Sequence, residues 1–200
     1  MKKKILISTG GSGGHVIPAL NFYEHLKQNN EVFITSDLRG LKFIDTKNYN
    51  YKTIDVPDIK KNKFKFPLNL IFFLSSIIKS FFYLKKNNID NIISTGGYVT
   101  FPVCIAAMFT KSKLFLFEPN MVLGRSNLFF LKHCKKIFCY SDTIRKFPSN
   151  YIHKIQTIYP LLDKKSYNLK NDFKKSSDQK VFLVIGGSQG AKFFQTELKN

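Results

Sequence analysis

The sequence predicts an α/β fold: an open parallel sheet with helices between its strands, followed by the start of a second unit of the same kind. Three glycine-rich turns carry that prediction. From Lys3 to Leu20 an apolar run (Ile5, Leu6, Ile7) meets Gly10, Gly11, Gly13 and Gly14, then His15, then Pro18 at a position suited to the first turn of a helix. Ile92 and Ile93 lead to Gly96 and Gly97, and VFLVIGGSQG (181–190) repeats the first pattern with Gly186, Gly187, Ser188, Gln189 and Gly190. Strand, glycine turn and helix are how a Rossmann-like sheet builds an anion site. Glycine lets the backbone approach the ligand, and the helix start offers unpaired N–H groups. Three such turns at strand ends predict a crevice above the sheet that holds a phosphate or diphosphate. The first turn lacks the Gly-Lys-Ser/Thr ending of an ATPase P-loop, which speaks against that reading.

The elements follow in order. A helix is predicted over 18–29, with Leu20, Tyr23 and Leu26 on one face. A strand over 31–35 ends at Ser36 and Asp37. An acid there opens a dinucleotide reading with a ribose on Asp37, although the preceding turn has no clean Gly-x-Gly-x-x-Gly. Another strand over 51–56 is stopped by Pro57. The run from Leu68 to Leu84 is the most apolar of the chain, flanked by Lys60, Lys61, Lys63, Lys65, Lys85 and Lys86. It reads as a membrane span, as a buried connecting helix, or as a helix docked on the sheet that keeps apolar side chains at the surface beside lysines suited to lipid headgroups. It is short for a span and contains Lys79 and three serines. Strands over 89–94, 113–117, 136–140 and 155–158 alternate with helices over 102–109 and 124–132. Residues 163–179 are polar, Lys-rich and without apolar period. The expected organisation is a first domain over 1–160, a linker over 161–180, and the first strand and helix of an incomplete second domain over 181–200.

Bulk composition bounds the partners. The chain has 200 residues, 44% of them hydrophobic and 22% charged, which is globular. Its net charge of +19, from 32 basic and 13 acidic residues, suits phosphates or an anionic membrane. Lysine, asparagine, isoleucine and phenylalanine are abundant together, so an AT-rich genome accounts for part of that charge. No interleaved basic and aromatic pattern points to nucleic acid. Cys104, Cys134 and Cys139 lack metal-like spacing and read as reduced thiols of a cytosolic chain. The apolar run behind Lys2–Lys4 breaks into glycines too soon for a signal peptide.

Four blocks, GGSGGHVIPAL (10–20), STGGYVTFP (94–102), FEPNMVLGRSN (117–127) and VIGGSQGA (184–191), together resemble the GT-B glycosyltransferases of family 28. These move N-acetylglucosamine from UDP-N-acetylglucosamine to lipid I, an undecaprenyl-diphosphate-linked muramyl pentapeptide, giving lipid II for peptidoglycan. The resemblance spans essentially the whole chain. It implies two Rossmann-like domains facing a cleft, inversion at the anomeric carbon, no metal or other cofactor, and a peripheral location on the cytoplasmic face of the cell membrane. It implies His15 as general base, with a loop-orienting role as the alternative, and Glu118 as rival base or as the group that orients it. It places Ser12, Gly13, Gly14, Asn120, Gly187, Ser188 and Gln189 on UDP-N-acetylglucosamine, and Gly97, Tyr98 and Asn127 on the acceptor. His25, His133 and His153 read as structural or surface residues.

The chain departs from the family in three places. Phe117 and Pro119 replace His and Gln of a His-Glu-Gln-Asn block, which predicts two altered crevice contacts. Ile158-Tyr159-Pro160-Leu161-Leu162 lacks the arginine of the usual Gly-Asn-Pro-Val-Arg. The second domain, which carries most donor contacts in the family, is nearly missing. The alternative reading is therefore a non-catalytic acceptor- and membrane-binding half that needs a separate donor-binding partner.

Overall fold

The structure, a computed structural model, describes residues 2–57 and 66–162. The chain divides into two compact units, Met1–Lys164 and Lys165–Asn200. The expected second domain over 181–200, with Gly187, Ser188 and Gln189, lies outside the described residues, as do the linker beyond 162 and Lys60, Lys61, Lys63 and Lys65.

Seven parallel strands form one sheet. They are β1 (Lys4–Ser8), β2 (Glu31–Ser36), β3 (Tyr51–Thr53), β4 (Asn91–Ser94), β5 (Lys113–Glu118), β6 (Lys136–Cys139) and β7 (Ile155–Thr157), in the order β3-β2-β1-β4-β5-β6-β7. The helices are α1 (Gly13–Leu26), α2 (Phe66–Lys86), α3 (Phe101–Met108) and α4 (Arg125–Phe130). Side chains alternate across the strands and make two cores. Ile5, Ile7, Val32, Ile34, Ile93 and Phe117 pack with Val16, Ala19 and Phe22 of α1. Leu6, Phe33, Ile92, Leu114, Leu116 and Ile137 pack with Leu84, Val103, Ala106 and Phe130 of α2, α3 and α4. The strand order reverses between β1 and β4, so the turns after these two strands diverge and leave a crevice between them.

Three expectations need correction. α1 begins at Gly13 with Ser12 as its N-cap, and Pro18 lies inside it. Proline at the sixth helical position has no N–H for the Gly14 carbonyl, a modest loss this close to the helix start. β3 ends at Thr53 rather than at 56, because its partner β2 ends at Ser36 and only one more backbone bond, from Ile54 N–H to the Ser36 carbonyl (2.9 Å), extends the pairing. Phe117 does not alter a crevice contact: it is fully buried and meets Phe22 and Tyr140 edge-on in the α1 core.

α2 shows which of its three readings holds in the fold. Its buried residues are Ser76, Ser80 and Leu84. Both serine hydroxyls donate back to their own helix, Ser76 to the Phe72 carbonyl (2.9 Å) and Ser80 to the Ser76 carbonyl (2.7 Å). Ile71, Phe72, Leu74, Ile78 and Phe82 are all at least half exposed. The buried-connector reading fails, since only Ser76, Ser80 and Leu84 are buried, while most of the large apolar side chains face outward. The helix is long and apolar enough to cross a membrane by length and composition, and 17% of its most apolar window is buried.

The three cysteines are buried free thiols. Burial pushes the Cys104 thiol up to about 11. Burial first, then the Glu118 carboxylate, pushes Cys139 up to about 12. Iodoacetamide at pH 8 is therefore expected to leave Cys104 and Cys139 unmodified in the folded protein and to label both in guanidinium, as read by intact mass. Labelling of either at native conditions would contradict the packing described here.

Candidate active site

The first glycine turn is held by Asp37, which is 2% exposed. Its Oδ1 accepts from the N–H groups of Gly11 (2.8 Å) and Gly40 (3.0 Å), and its Oδ2 from Arg39 Nε (2.6 Å). The carboxylate that the dinucleotide reading gave to a ribose is thus spent on the protein's own backbone, and that reading falls. A Cβ on Gly10 would lie 2.7 Å from Asp37 Oδ1 and 2.8 Å from Val99, so the turn needs glycine there to approach β2.

His15 follows in the first turn of α1. Its Nδ1 lies 2.8 Å from the Thr95 carbonyl at the end of β4. A carbonyl only accepts, so the neutral ring carries its proton on Nδ1 and leaves Nε2 with a lone pair. Thr95 is held in turn by its own hydroxyl, which donates to Thr9 Oγ1 (2.8 Å) across the end of the sheet. Nε2 faces the second glycine turn, where Gly96 and Gly97 have φ of 84° and 83°. A Cβ on Gly97 would sit 3.3 Å from Nε2.

The third wall is organised by Glu118 at the end of β5. The carboxylate is 2% exposed and takes four hydrogen bonds. Oε1 accepts from Asn120 N–H (3.2 Å) and Asn120 Nδ2 (2.8 Å); Oε2 accepts from Gly124 N–H (2.8 Å) and Asn127 Nδ2 (3.0 Å). The turn over 119–124 is fixed a second time by backbone bonds between Arg145 and both Met121 and Leu123. Asn127 also donates to the Phe117 carbonyl (3.0 Å), while its buried Oδ1 has no partner.

These three walls enclose a cleft of about 500 Å³ lined by His15, Gly97, Tyr98, Glu118, Asn120 and Asn127, and also by Phe101 and Arg125. Tyr98 is 37% exposed and its hydroxyl donates to the Pro57 carbonyl (2.8 Å). Its ring stacks on Phe73 of α2 (6.0 Å between centroids) and neighbours Phe101 (6.1 Å), which meets Phe129 (5.4 Å). An aromatic row thus runs from Phe73, a half-buried residue of α2 packed on the core, to the cleft mouth. Ser12, Gly13 and Gly14 stand in the turn just before His15 and not in the cleft lining. His25, His133 and His153 are also absent from that lining. The sequence reading missed Thr95, which acts through a backbone carbonyl that no side-chain pattern can signal. It also missed Phe101 and Arg125. An arginine in a chain with 32 basic residues, nearly all lysine, was the available clue to the latter.

Residues 5–139 match the signature described as the "Glycosyltransferase family 28 N-terminal domain". The chain belongs to glycosyltransferase family 28. Over all of its 200 residues it is 55% identical to a family 28 relative from Pelagibacter ubique, 56% of whose length is covered. A relative from Rickettsia felis is 34% identical over 96% of this chain and 55% of its own. Both carry the name UDP-N-acetylglucosamine--N-acetylmuramyl-(pentapeptide) pyrophosphoryl-undecaprenol N-acetylglucosamine transferase. The chain spans a little over half the length of the curated relatives it matches. Among solved structures, Acinetobacter baumannii MurG superposes with a TM-score of 0.73 at 24% identity, covering 96% of this chain and 55% of that one. The fold is shared further still: an S. aureus MnaA–UDP structure gives 0.61 at 13% identity, over 87% and 48%.

Proposed function

We propose that this chain is the acceptor-side part of an enzyme that transfers N-acetylglucosamine from UDP-N-acetylglucosamine to an undecaprenyl-diphosphate-linked muramyl pentapeptide, in peptidoglycan synthesis. The whole-length 55% identity to the Pelagibacter relative named for that reaction carries the reading.

The cleft geometry fits it. The acceptor 4-hydroxyl oxygen bonds to the anomeric carbon of the donor sugar, and His15 Nε2 takes its proton. The bond from that carbon to the diphosphate oxygen breaks, and UDP leaves with the electron pair. Attack from the side opposite the leaving group inverts the anomeric configuration. Charge on the departing UDP is met by backbone N–H groups of Ser12, Gly13 and Gly14 at the start of α1 and by Asn120, without recourse to a metal. Gly97, Tyr98 and Asn127 hold the acceptor, with the unpartnered Asn127 Oδ1 supplying an acceptor for one of its O–H or N–H groups. Glu118 is a positioning residue, because its oxygens are already committed to Asn120, Gly124 and Asn127.

The test joins this chain in frame to the C-terminal remainder of the Pelagibacter relative and supplies labelled UDP-N-acetylglucosamine with lipid I. Formation of labelled lipid II is expected. Its absence, with the chimera folded by circular dichroism, overturns the reading.

The same reading places the protein peripherally on the cytoplasmic face of the membrane, with α2 lying in the interface. Fully burying one Phe or Ile side chain is worth about 1.5–3 kcal/mol. Ile71→Glu and Phe82→Glu are each expected to weaken binding to phospholipid vesicles about tenfold or more in a sedimentation assay, with the thermal midpoint unmoved. Sedimentation of both variants equal to that of the unsubstituted protein would remove α2 from the membrane.

A further inference from the structure

Nothing described above gives the Arg125 guanidinium a task, although it stands on the cleft wall. We infer that Arg125 is a diphosphate-binding residue of this cleft, its guanidinium pairing with the phosphate oxygens of a substrate. The inference rests on the transfer reading above, which brings two diphosphates to the site, one in the nucleotide sugar and one in the polyprenyl carrier.

The charge balance of the cleft carries the argument. Only Arg125 and Glu118 among its lining residues have formal charge. Glu118 is buried, and four N–H donors occupy its oxygens, so it is not the partner of the arginine. Among the described residues Arg125 makes no ion pair, and the only pairs are those of Lys4, Lys27 and Arg39. The side chain is exposed to the cleft, with its positive charge uncompensated.

Its anchor is fixed. Gly124 before it is bonded to Glu118, Ser126 after it donates to the Gly97 carbonyl (3.2 Å), and Asn127 is tied to Phe117 and Glu118. With the backbone pinned, only the side chain's own rotamer freedom is lost when the guanidinium meets an anion. Composition sharpens the point. The chain has three arginines against a large excess of lysine. Arg39 pairs with Asp37, and Arg145 is not part of the cleft lining. That leaves Arg125, whose planar fork presents two parallel N–H groups to two phosphate oxygens, as a lysine ammonium cannot.

The test uses the chimera with the Pelagibacter C-terminal remainder in unsubstituted, Arg125→Gln and Arg125→Lys forms. Arg125→Gln is expected to raise KM for one diphosphate substrate about ten- to hundredfold. The KM of the other substrate and the thermal midpoint stay where they are, and Arg125→Lys recovers part of the loss. A raised KM for UDP-N-acetylglucosamine assigns the arginine to the donor; a raised KM for lipid I assigns it to the acceptor. Inorganic pyrophosphate, as a competing probe, inhibits the unsubstituted chimera and inhibits Arg125→Gln more weakly. The inference is overturned if neither KM moves, or if kcat and the thermal midpoint fall together with both KM values unchanged. A folded but inactive unsubstituted chimera would overturn the transfer reading instead. Thermal shift with pyrophosphate would then decide for Arg125: stabilisation lost in Arg125→Gln supports the inference, and equal stabilisation in both forms overturns it.

Discussion

His15→Asn is expected to lower kcat about 100- to 10,000-fold, with small changes in either KM. Asparagine is chosen because its Nδ2 can reach the Thr95 carbonyl that Nδ1 of His15 meets at 2.8 Å, so the start of α1 keeps its tie to the end of β4. What the substitution removes is the lone pair on Nε2 beside Gly97. The two roles that the residue type allows are thereby separated. A histidine that merely orients the turn is replaceable by asparagine with most of kcat retained. A histidine that accepts the proton of the attacking hydroxyl is not. The assay is labelled lipid II formation by the chimera, with substrate binding followed in parallel; near-normal turnover would move the base elsewhere.

The second large effect is on folding. Glu118→Ala is expected to destabilise the first unit by at least about 3 kcal/mol, because it leaves two backbone N–H groups and the amide groups of Asn120 and Asn127 without their acceptor. For a domain of this size that is a fall of about 6–12 °C in the thermal midpoint. Glu118→Gln keeps the shape and one acceptor oxygen and should lose about half as much, since its amide faces donors on one side. Kinetics then separate positioning from proton transfer. If Glu118 positions the wall, Glu118→Gln retains measurable transfer and is hurt mainly through KM. A kcat loss as deep as that of His15→Asn, in a variant that still folds, would make the carboxylate the base.

How much of this was legible in the sequence depended on what kind of signal each feature leaves. The strands leave apolar runs, those of β1 and β4 ending in glycine turns, and β1, β2, β4, β5 and β6 lie within a residue or two of where those runs put them. The crevice at the reversal of strand order was implied by the turns after β1 and β4. The start of α1 was not, because Gly13 and Gly14 read as loop, whereas backbone geometry lets them form the first helical turn. The direction in which α2 faces was not legible either. Its composition is mostly apolar, and only packing reveals that Ser76 and Ser80, with Leu84, are the buried residues. Asp37 and Glu118 have the same outward signature, an acid at a strand end. Both prove to be clamps for nearby N–H groups, a distinction that depends on the path of the following loop. Arg125 was hidden for the opposite reason: it belongs to no pattern of its own and matters by where the Glu118 clamp puts it.

The clearance before the His15 ring is made by an atom that is missing. At Gly97 the backbone turns to a left-handed φ of 83°, and the nearest possible substituent would sit 3.3 Å from Nε2. Any larger residue there incurs backbone strain and also blocks the approach of a hydroxyl. That side of the chamber therefore has no adjustable parts. Variation in what the cleft accepts has to come from other lining residues, such as Phe101, whose exchange leaves the ring and its tether untouched.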